Sequence, residues 1–403
     1  MPKTIAVIGT LDTKGQEFAF LKAEIERRGC KTLVIDAGIL DPPAFAPDVS
    51  RDQVVEAAEA RLGDLIARQD RGAAIAAMTQ GVAEIVRRLY ANGTIDGIIS
   101  MGGGGGTSIG TTAMRALPVG FPKVMVSTLA SGDVSAFVGT SDIVMMPAVV
   151  GVSVVNRISR MIYANAAGAI TGMVTGEPSR GDDKPVIAAT MFGNTTRAVN
   201  QARTILEGAG YEVIVLHATG TGGRTMETLV IDGLIQGVLD MTTTEWADEL
   251  VGGVLSAGPN RLEAAARSGV PQVVVPGCLD MVNFWARDTV PSHFEKRTFY
   301  QWNQNITLMR TTVEENRRLG EIFADKLNAA TGPVAVYIPT RGYSELDREG
   351  EAFWNPEADR AFADALKANL RDDIPVVEMP VEINDPEFSR GAAETLLAML
   401  RAS

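Results

Sequence analysis

Two parts of this chain follow one plan. Lys3-Thr4-Ile5-Ala6-Val7 and Gly29-Cys30-Lys31-Thr32-Leu33-Val34-Ile35 return, at one common offset, as Lys184-Pro185-Val186-Ile187-Ala188 and Gly210-Tyr211-Glu212-Val213-Ile214-Val215-Leu216. Ile95-Asp96-Gly97-Ile98-Ile99 returns as Ile231-Asp232-Gly233-Leu234-Ile235, and Pro122-Lys123-Val124-Met125-Val126 as Pro271-Gln272-Val273-Val274-Val275, at shorter offsets. Short β-branched runs that alternate with amphipathic helical stretches are βαβ units, which build parallel sheets covered on both faces. The expected fold is therefore α/β, with two Rossmann-like doubly wound lobes spanning 1–180 and 184–403. The first copy carries an extra helical stretch after its second strand. Chance similarity between βαβ units is the competing explanation of the repeat.

The spacing predicts first-lobe strands at Thr4–Ile8, Thr32–Ile35, Gly97–Ser100, Lys123–Ser127 and Ile143–Met146. Helices are expected over Glu17–Arg28, from a Ser50–Gln53 capping box onward with Val54, Ala58, Leu62 and Leu65 on one face, over Ala74–Tyr90, and over Val152–Val174. The polar, Pro/Gly-bearing stretch from Glu177 to Pro185 reads as the linker. Later strands fall near Val334–Ile338 and Val376–Met379, with a last helix from Pro386.

Composition narrows the function classes. The net charge of −12 opposes nucleic-acid and anionic-membrane surfaces, which need a basic stripe. Two cysteines make neither a disulfide framework nor a zinc spacing. The longest apolar stretch, Ile143 to Val155, is broken by Pro147, Gly151 and Ser153 and is too short to span a bilayer. With no signal-peptide pattern at Met1-Pro2-Lys3-Thr4, a cytoplasmic protein is expected. Glycine is abundant, 41 residues in 403, against a usual share of about 7%.

The glycines gather where chemistry would. Gly9-Thr10-Leu11-Asp12-Thr13-Lys14-Gly15 follows the first strand, and Gly102-Gly103-Gly104-Gly105-Gly106-Thr107-Ser108 follows the third. Backbone amides without Cβ atoms, backed by a helix N-terminus, suit an anion such as phosphate. If both loops hold one ligand, their strands are neighbours, which predicts the order 2-1-3-4-5 in the first lobe. Neither loop is a Walker A motif or GxGxxG at the first turn. Gly9 and Gly15 serve equally as ordinary turn glycines, and the five-glycine run as a flexible lid or a close packing contact. Asp12 can place Mg²⁺ and Lys14 can neutralise a phosphate; a loop carboxylate and a solvated lysine are the plainer alternatives.

The fourth strand ends in Ser127-Thr128-Leu129-Ala130-Ser131-Gly132-Asp133, which suits ribose or metal-water contacts, or else a side-chain turn. Asp36 stands where dinucleotide folds hold a ribose hydroxyl, or caps a helix. In the second lobe, Thr190–Thr196 and Thr219–Arg224 can form a second polar cleft facing the first lobe, with Arg224 as an anion clamp, or two capped turns. The stretch from Asn283 to Asn303, with His293, Trp285 and Trp302, offers a binding or interlobe surface or a packed loop. Glu314 and Glu315 are paired carboxylates or part of a Thr312 capping box, and Arg341–Asp347 can close over a ligand. Triad and metallohydrolase patterns are absent from the sequence, so no catalytic residue is named.

With these motifs assembled, the chain resembles the family of the ATP-binding N-terminal region of the tomato mosaic virus resistance protein, whose bacterial members have unassigned function. The resemblance is carried by Ile8–Gly15, by Met101 with the Gly102–Thr107 run, and by Pro276-Gly277-Cys278-Leu279-Asp280-Met281-Val282-Asn283-Phe284. It implies two Rossmann-like lobes, Mg-ATP in the first, and homodimers. The plant protein binds a viral replication protein, a role nothing in this sequence suggests. It also continues into a TIM-barrel-like region that this chain lacks, which leaves room for a separate partner of that kind. By the matching motifs, Thr10, Asp12, Thr13, Lys14, Gly103–Thr107 and Ser127–Asp133 are the nucleotide-site candidates.

Three readings follow. The first is a Mg-ATP-binding protein whose lobes close over a second small molecule, an ATP-dependent enzyme among the forms this takes. The second is an NAD(P)-linked oxidoreductase. The third is a regulatory protein that uses nucleotide without turnover.

Overall fold

Runs of β-branched residues bounded by turn residues form strands buried on both faces, as parallel sheets require. In the computed structural model, which describes residues 2–152, 154–177, 181 and 183–402, the chain divides into two compact units, Met1–Arg180 and Gly181–Ser403. Of the expected linker, Pro178, Ser179, Arg180 and Asp182 lie outside the described residues.

The first unit has strands β1 (Thr4–Gly9), β2 (Lys31–Asp36), β3 (Gly97–Gly102), β4 (Lys123–Ser127) and β5 (Val144–Pro147). They pair in parallel in the order β2-β1-β3-β4-β5, the order expected from the two glycine loops. Its helices are α1 (Leu11–Glu26), α2 (Arg51–Ala57), α3 (Leu62–Arg68), α4 (Arg71–Ala91), α5 (Gly104–Arg115), α6 (Ser135–Val138) and α7 (Arg157–Thr175). Strand side chains alternate between faces. Ile5, Val7, Val34, Ile99 and Val124 pack under α1 and α7, while Ala6, Ile8, Ile35, Ile98 and Met125 pack under α2 to α5.

Three boundaries differ from the sequence expectation. The α1 helix starts at Leu11 rather than Glu17, because the Leu11 N–H is accepted by the Asp36 carboxylate at 3.1 Å; a kink at Lys14 follows. The Ser50 capping box forms, but the long helix behind it is two short ones, α2 and α3, separated where Glu59 takes φ +56°. The α7 helix starts at Arg157, where the Asn156 side chain accepts from the Ile158 and Ser159 amides.

The second unit repeats the plan. Strands β6 (Val186–Met191), β7 (Glu212–His217), β8 (Gly237–Asp240) and β9 (Gln272–Val274) belong to one parallel sheet. Next come β10 (Met281–Phe284), β11 (Phe299–Asn303) and β12 (Ile306–Arg310), then β13 (Val334–Pro339) and β14 (Val376–Met379). The six-stranded order β14-β13-β9-β8-β6-β7 places the unit's first strand between its second and third, as in the first unit. The helices are α8 (Thr196–Gly208), α9 (Thr221–Ile231), α10 (Glu245–Val251), α11 (Ala264–Ser268), α12 (Val313–Asn328), α13 (Pro356–Asn369) and α14 (Pro386–Ala402). The strands β10, β12 and β11 form a separate antiparallel sheet, where sequence reading offered a binding or interlobe surface or a packed loop. Its outer strand β11 is mostly exposed and polar between its aromatics, so it lacks an alternating apolar signal.

Candidate functional site

The parallel order brings the carboxyl ends of β1 and β3 together, with Ile8 opposite Ser100, at the point where connections leave in opposite directions. A cleft of about 910 Å³ opens there. One wall is Thr10, Asp12, Thr13 and Lys14 with Gly103 to Gly106. The other comes from the extra stretch of the first copy: the Ala37–Asp41 loop, with Leu65 and Ile66 of α3 and Ala74, Ile75 and Met78 of α4. Leu40 is 71% exposed and Ile66 45%, so the mouth of the cleft shows apolar surface to solvent.

The five glycines divide into two jobs. A Cβ on Gly102 would lie 2.8 Å from the Gly106 Cα, and one on Gly106 would lie 3.2 Å from the Met101 carbonyl oxygen. One turn on, a Cβ on Gly110 would meet the Ser100 side chain at 2.7 Å. These residues let α5 lie directly on β3. Gly105 is tight against Ile75 at 3.2 Å. Gly104 differs: a Cβ there would meet nothing within 4 Å, and its φ is not in the left-handed region. Gly103 is the N-cap, in extended backbone, with no side-chain cap on the helix. The first turn of α5 thus points uncapped amides of a 12-residue helix into the cleft.

The first loop contributes less freely. Gly9 is a packing glycine, since a Cβ would lie 2.4 Å from the Phe18 ring. One Asp12 carboxylate oxygen accepts from the Ile39 and Leu40 amides at 3.0 and 2.8 Å, while Oδ1 is buried without a partner. Asp12 therefore holds the Ala37–Asp41 wall with one oxygen, while the other is buried beside Gly38. The Thr13 hydroxyl donates to the Thr10 hydroxyl at 3.1 Å. The Lys14 ammonium donates to the Val152 carbonyl at 2.7 Å. Among the charged residues lining the cleft, Asp12, Asp41 and Asp70 stand against Lys14 and Arg71. A polyanion there needs a cation of its own. Among the described residues no group of three or more His, Cys, Asp or Glu could hold a metal ion by itself.

Other sequence candidates lie away from the cleft lining. Thr107 and Ser127 are buried and hydrogen-bonded to each other at 2.7 Å, joining α5 to β4. The Ser108 hydroxyl donates back to the Gly104 carbonyl. Thr128 sits beside Gly103, its amide donating to the Gly102 carbonyl. Ser131, Gly132 and Asp133 are exposed, and the Asp133 carboxylate accepts from the Ser135 amide at 2.9 Å, the side-chain-turn alternative. That hydrogen bond holds its pKa below the usual carboxylate value. Asp36 is fully buried and accepts from Leu11 and Gly38 amides. Burial pushes its pKa up, and the two amides oppose the shift.

In the second unit the glycine loop that follows the second strand, β7, already holds an anion of its own. The Gly220 and Gly223 amides donate to one Glu245 oxygen at 2.7 and 2.9 Å, and the other oxygen accepts from Arg261. Arg261, buried, also grips both oxygens of Asp240. Arg224, the expected clamp, donates to the Ser256 carbonyl. Asp347 lies buried against Arg310, and Glu315 completes the Thr312 capping box.

Two family models cover the chain: the N-terminal domain of an uncharacterised protein family, UPF0261, over residues 3–179, and the C-terminal domain of the same family over residues 184–400. A UPF0261 protein of Clostridium tetani is 52% identical over 402 residues, 99% of this chain and 100% of that protein. One from Rhizobium meliloti is 46% identical over 97% of both chains. The tomato ToMV resistance protein Tm-1(GCR237) is 42% identical over 81% of this chain, a match that takes in 44% of the plant protein. With both domains matched and relatives this similar along their length, the chain belongs to the UPF0261 family.

Proposed function

We propose that the first unit binds a nucleotide as its magnesium complex, with ATP as the leading candidate, and that the chain uses it on or with a second small molecule. The observation that carries this reading is Gly104. Neither its backbone conformation nor any neighbour requires glycine. A ligand that must approach the amides of Gly103 and Gly104 closely accounts for it. The cleft volume fits the ~300–1,000 Å³ of small-molecule sites. The apolar wall from α3 and α4 suits a base, and the acidic lining of Asp12, Asp41 and Asp70 suits the cation that a polyphosphate brings.

An NAD(P)-linked oxidoreductase fits less well, because Asp36, the residue that would hold a ribose hydroxyl, is fully buried and does not line the cleft. Thermal unfolding separates the two readings. A ligand at one hundred times its Kd adds about 2.7 kcal/mol, a rise of roughly 5–10 °C in Tm for a unit of this size. MgATP is expected to give that rise and NAD none. The reverse pattern would move the assignment to the dinucleotide.

A further inference from the structure

Lys14 is the one α1 residue with non-helical backbone angles, φ −134° and ψ 26°. The kink carries its side chain out of the helix, to a carbonyl in the segment that joins β5 to α7. That segment is under strain. Val149 has φ +62°, a left-handed conformation that a β-branched residue rarely adopts, and its side chain is 78% exposed, so packing does not compensate it. The Val150 amide folds back on the Ala148 carbonyl at 2.6 Å, making a very tight turn. Val152, in contrast, is buried, and its carbonyl accepts the Lys14 ammonium at 2.7 Å. The same lysine lines the cleft between Thr13 and the glycine loop.

We propose that Lys14 is a charge-operated latch: a phosphate in the cleft draws the ammonium off the Val152 carbonyl and frees the strained Ala148–Val152 turn to rearrange. The inference rests on the reading of the cleft as a phosphate site and adds to it a moving part. An ammonium bound to a neutral carbonyl is a weaker pair than one bound to a phosphate, so the anion wins the competition. Strain at Val149 supplies the tendency to move once the contact is gone. Occupancy of the cleft is thereby reported on the surface of the unit beside β5.

Hydrogen exchange of the full chain, read on peptides covering 148–152, tests the latch. Lys14→Met keeps the aliphatic stem and removes the charge, so without any ligand it should speed exchange in this segment about tenfold, the effect of one lost hydrogen bond. Lys14→Arg, which keeps a donor and a charge, should exchange as the wild type does. Unchanged exchange in Lys14→Met, with strand amides still protected, overturns the latch. In the wild type, sodium tripolyphosphate with magnesium should speed exchange at 148–152 as the variant does. Calorimetry on the same samples separates the two ideas. Binding heat with unchanged exchange overturns the latch alone, whereas absence of heat overturns the phosphate site and the latch together.

Discussion

At the scale of single residues, the glycines of the third-strand loop look alike in sequence and differ in what they do. Gly102, Gly106 and Gly110 exist because α5 lies on β3, and Gly104 has open space beside it. Substitution separates them. Gly110→Ala is expected to destabilise the first unit by about 1–3 kcal/mol through overpacking against Ser100 and Met125, although alanine favours a helix. Gly104→Ala is expected to leave stability unchanged or raise it by up to about 1 kcal/mol. Urea denaturation of the two variants checks both signs, and equal destabilisation would contradict the division. Sequence reading placed these glycines correctly at a strand end but could not sort them. A run of identical residues carries no record of which neighbour each one faces. For Thr107 and Ser127 the limit is similar: their hydroxyls suit a phosphate in sequence, but in the fold they face each other in the core.

At the scale of elements, strand positions were legible because buried parallel strands announce themselves as β-branched runs, and the 2-1-3-4-5 order followed from the premise that the two glycine loops serve one ligand. The cleft's second wall was legible only as an inequality, the extra stretch that the second copy lacks. Its packing as α2, α3 and α4 depends on tertiary contacts with Ile35, Ile98 and their neighbours. The antiparallel β10-β12-β11 sheet went unseen because its exposed strand lacks periodicity. That sheet and α10 surround buried carboxyl groups with a measurable consequence. Burial pushes Asp248 up to about 7, with Asn283 opposing, and Asp280 up to about 6, with Arg310 opposing. Both hold more protons folded than unfolded, so their contribution to stability falls as pH rises from about 4 through 7 and then levels off. The second unit should lose on the order of 1–3 kcal/mol between pH 5 and pH 8 in urea titrations. Asp248→Asn should flatten part of that slope, since Asn283 can turn its unpaired Oδ1 toward the new amide. A slope that rises with pH in this window would contradict the assignment.

At the scale of the whole molecule, the two units share a strand plan but differ in where their glycine loops stand: Gly102–Gly106 follows the third strand of the first, and Gly220–Gly223 the second strand of the second. In the second, Glu245 sits on the amides at the start of α9, and Arg261 balances it from within. In the first, no side chain caps the start of α5, and the loop opens into a cleft with an apolar wall. The start of α5 is therefore the place to look for a ligand, and the proposed polyphosphate, carrying its own cation, is compatible with a net charge of −12. Isothermal titration of the full chain with MgATP, wild type against Gly104→Val, tests that claim most directly. Saturable heat at one site per chain in the wild type, lost in a variant whose unfolding midpoint is unchanged, is the predicted result. Binding heat undiminished by the valine would mean that the ligand does not approach the start of α5.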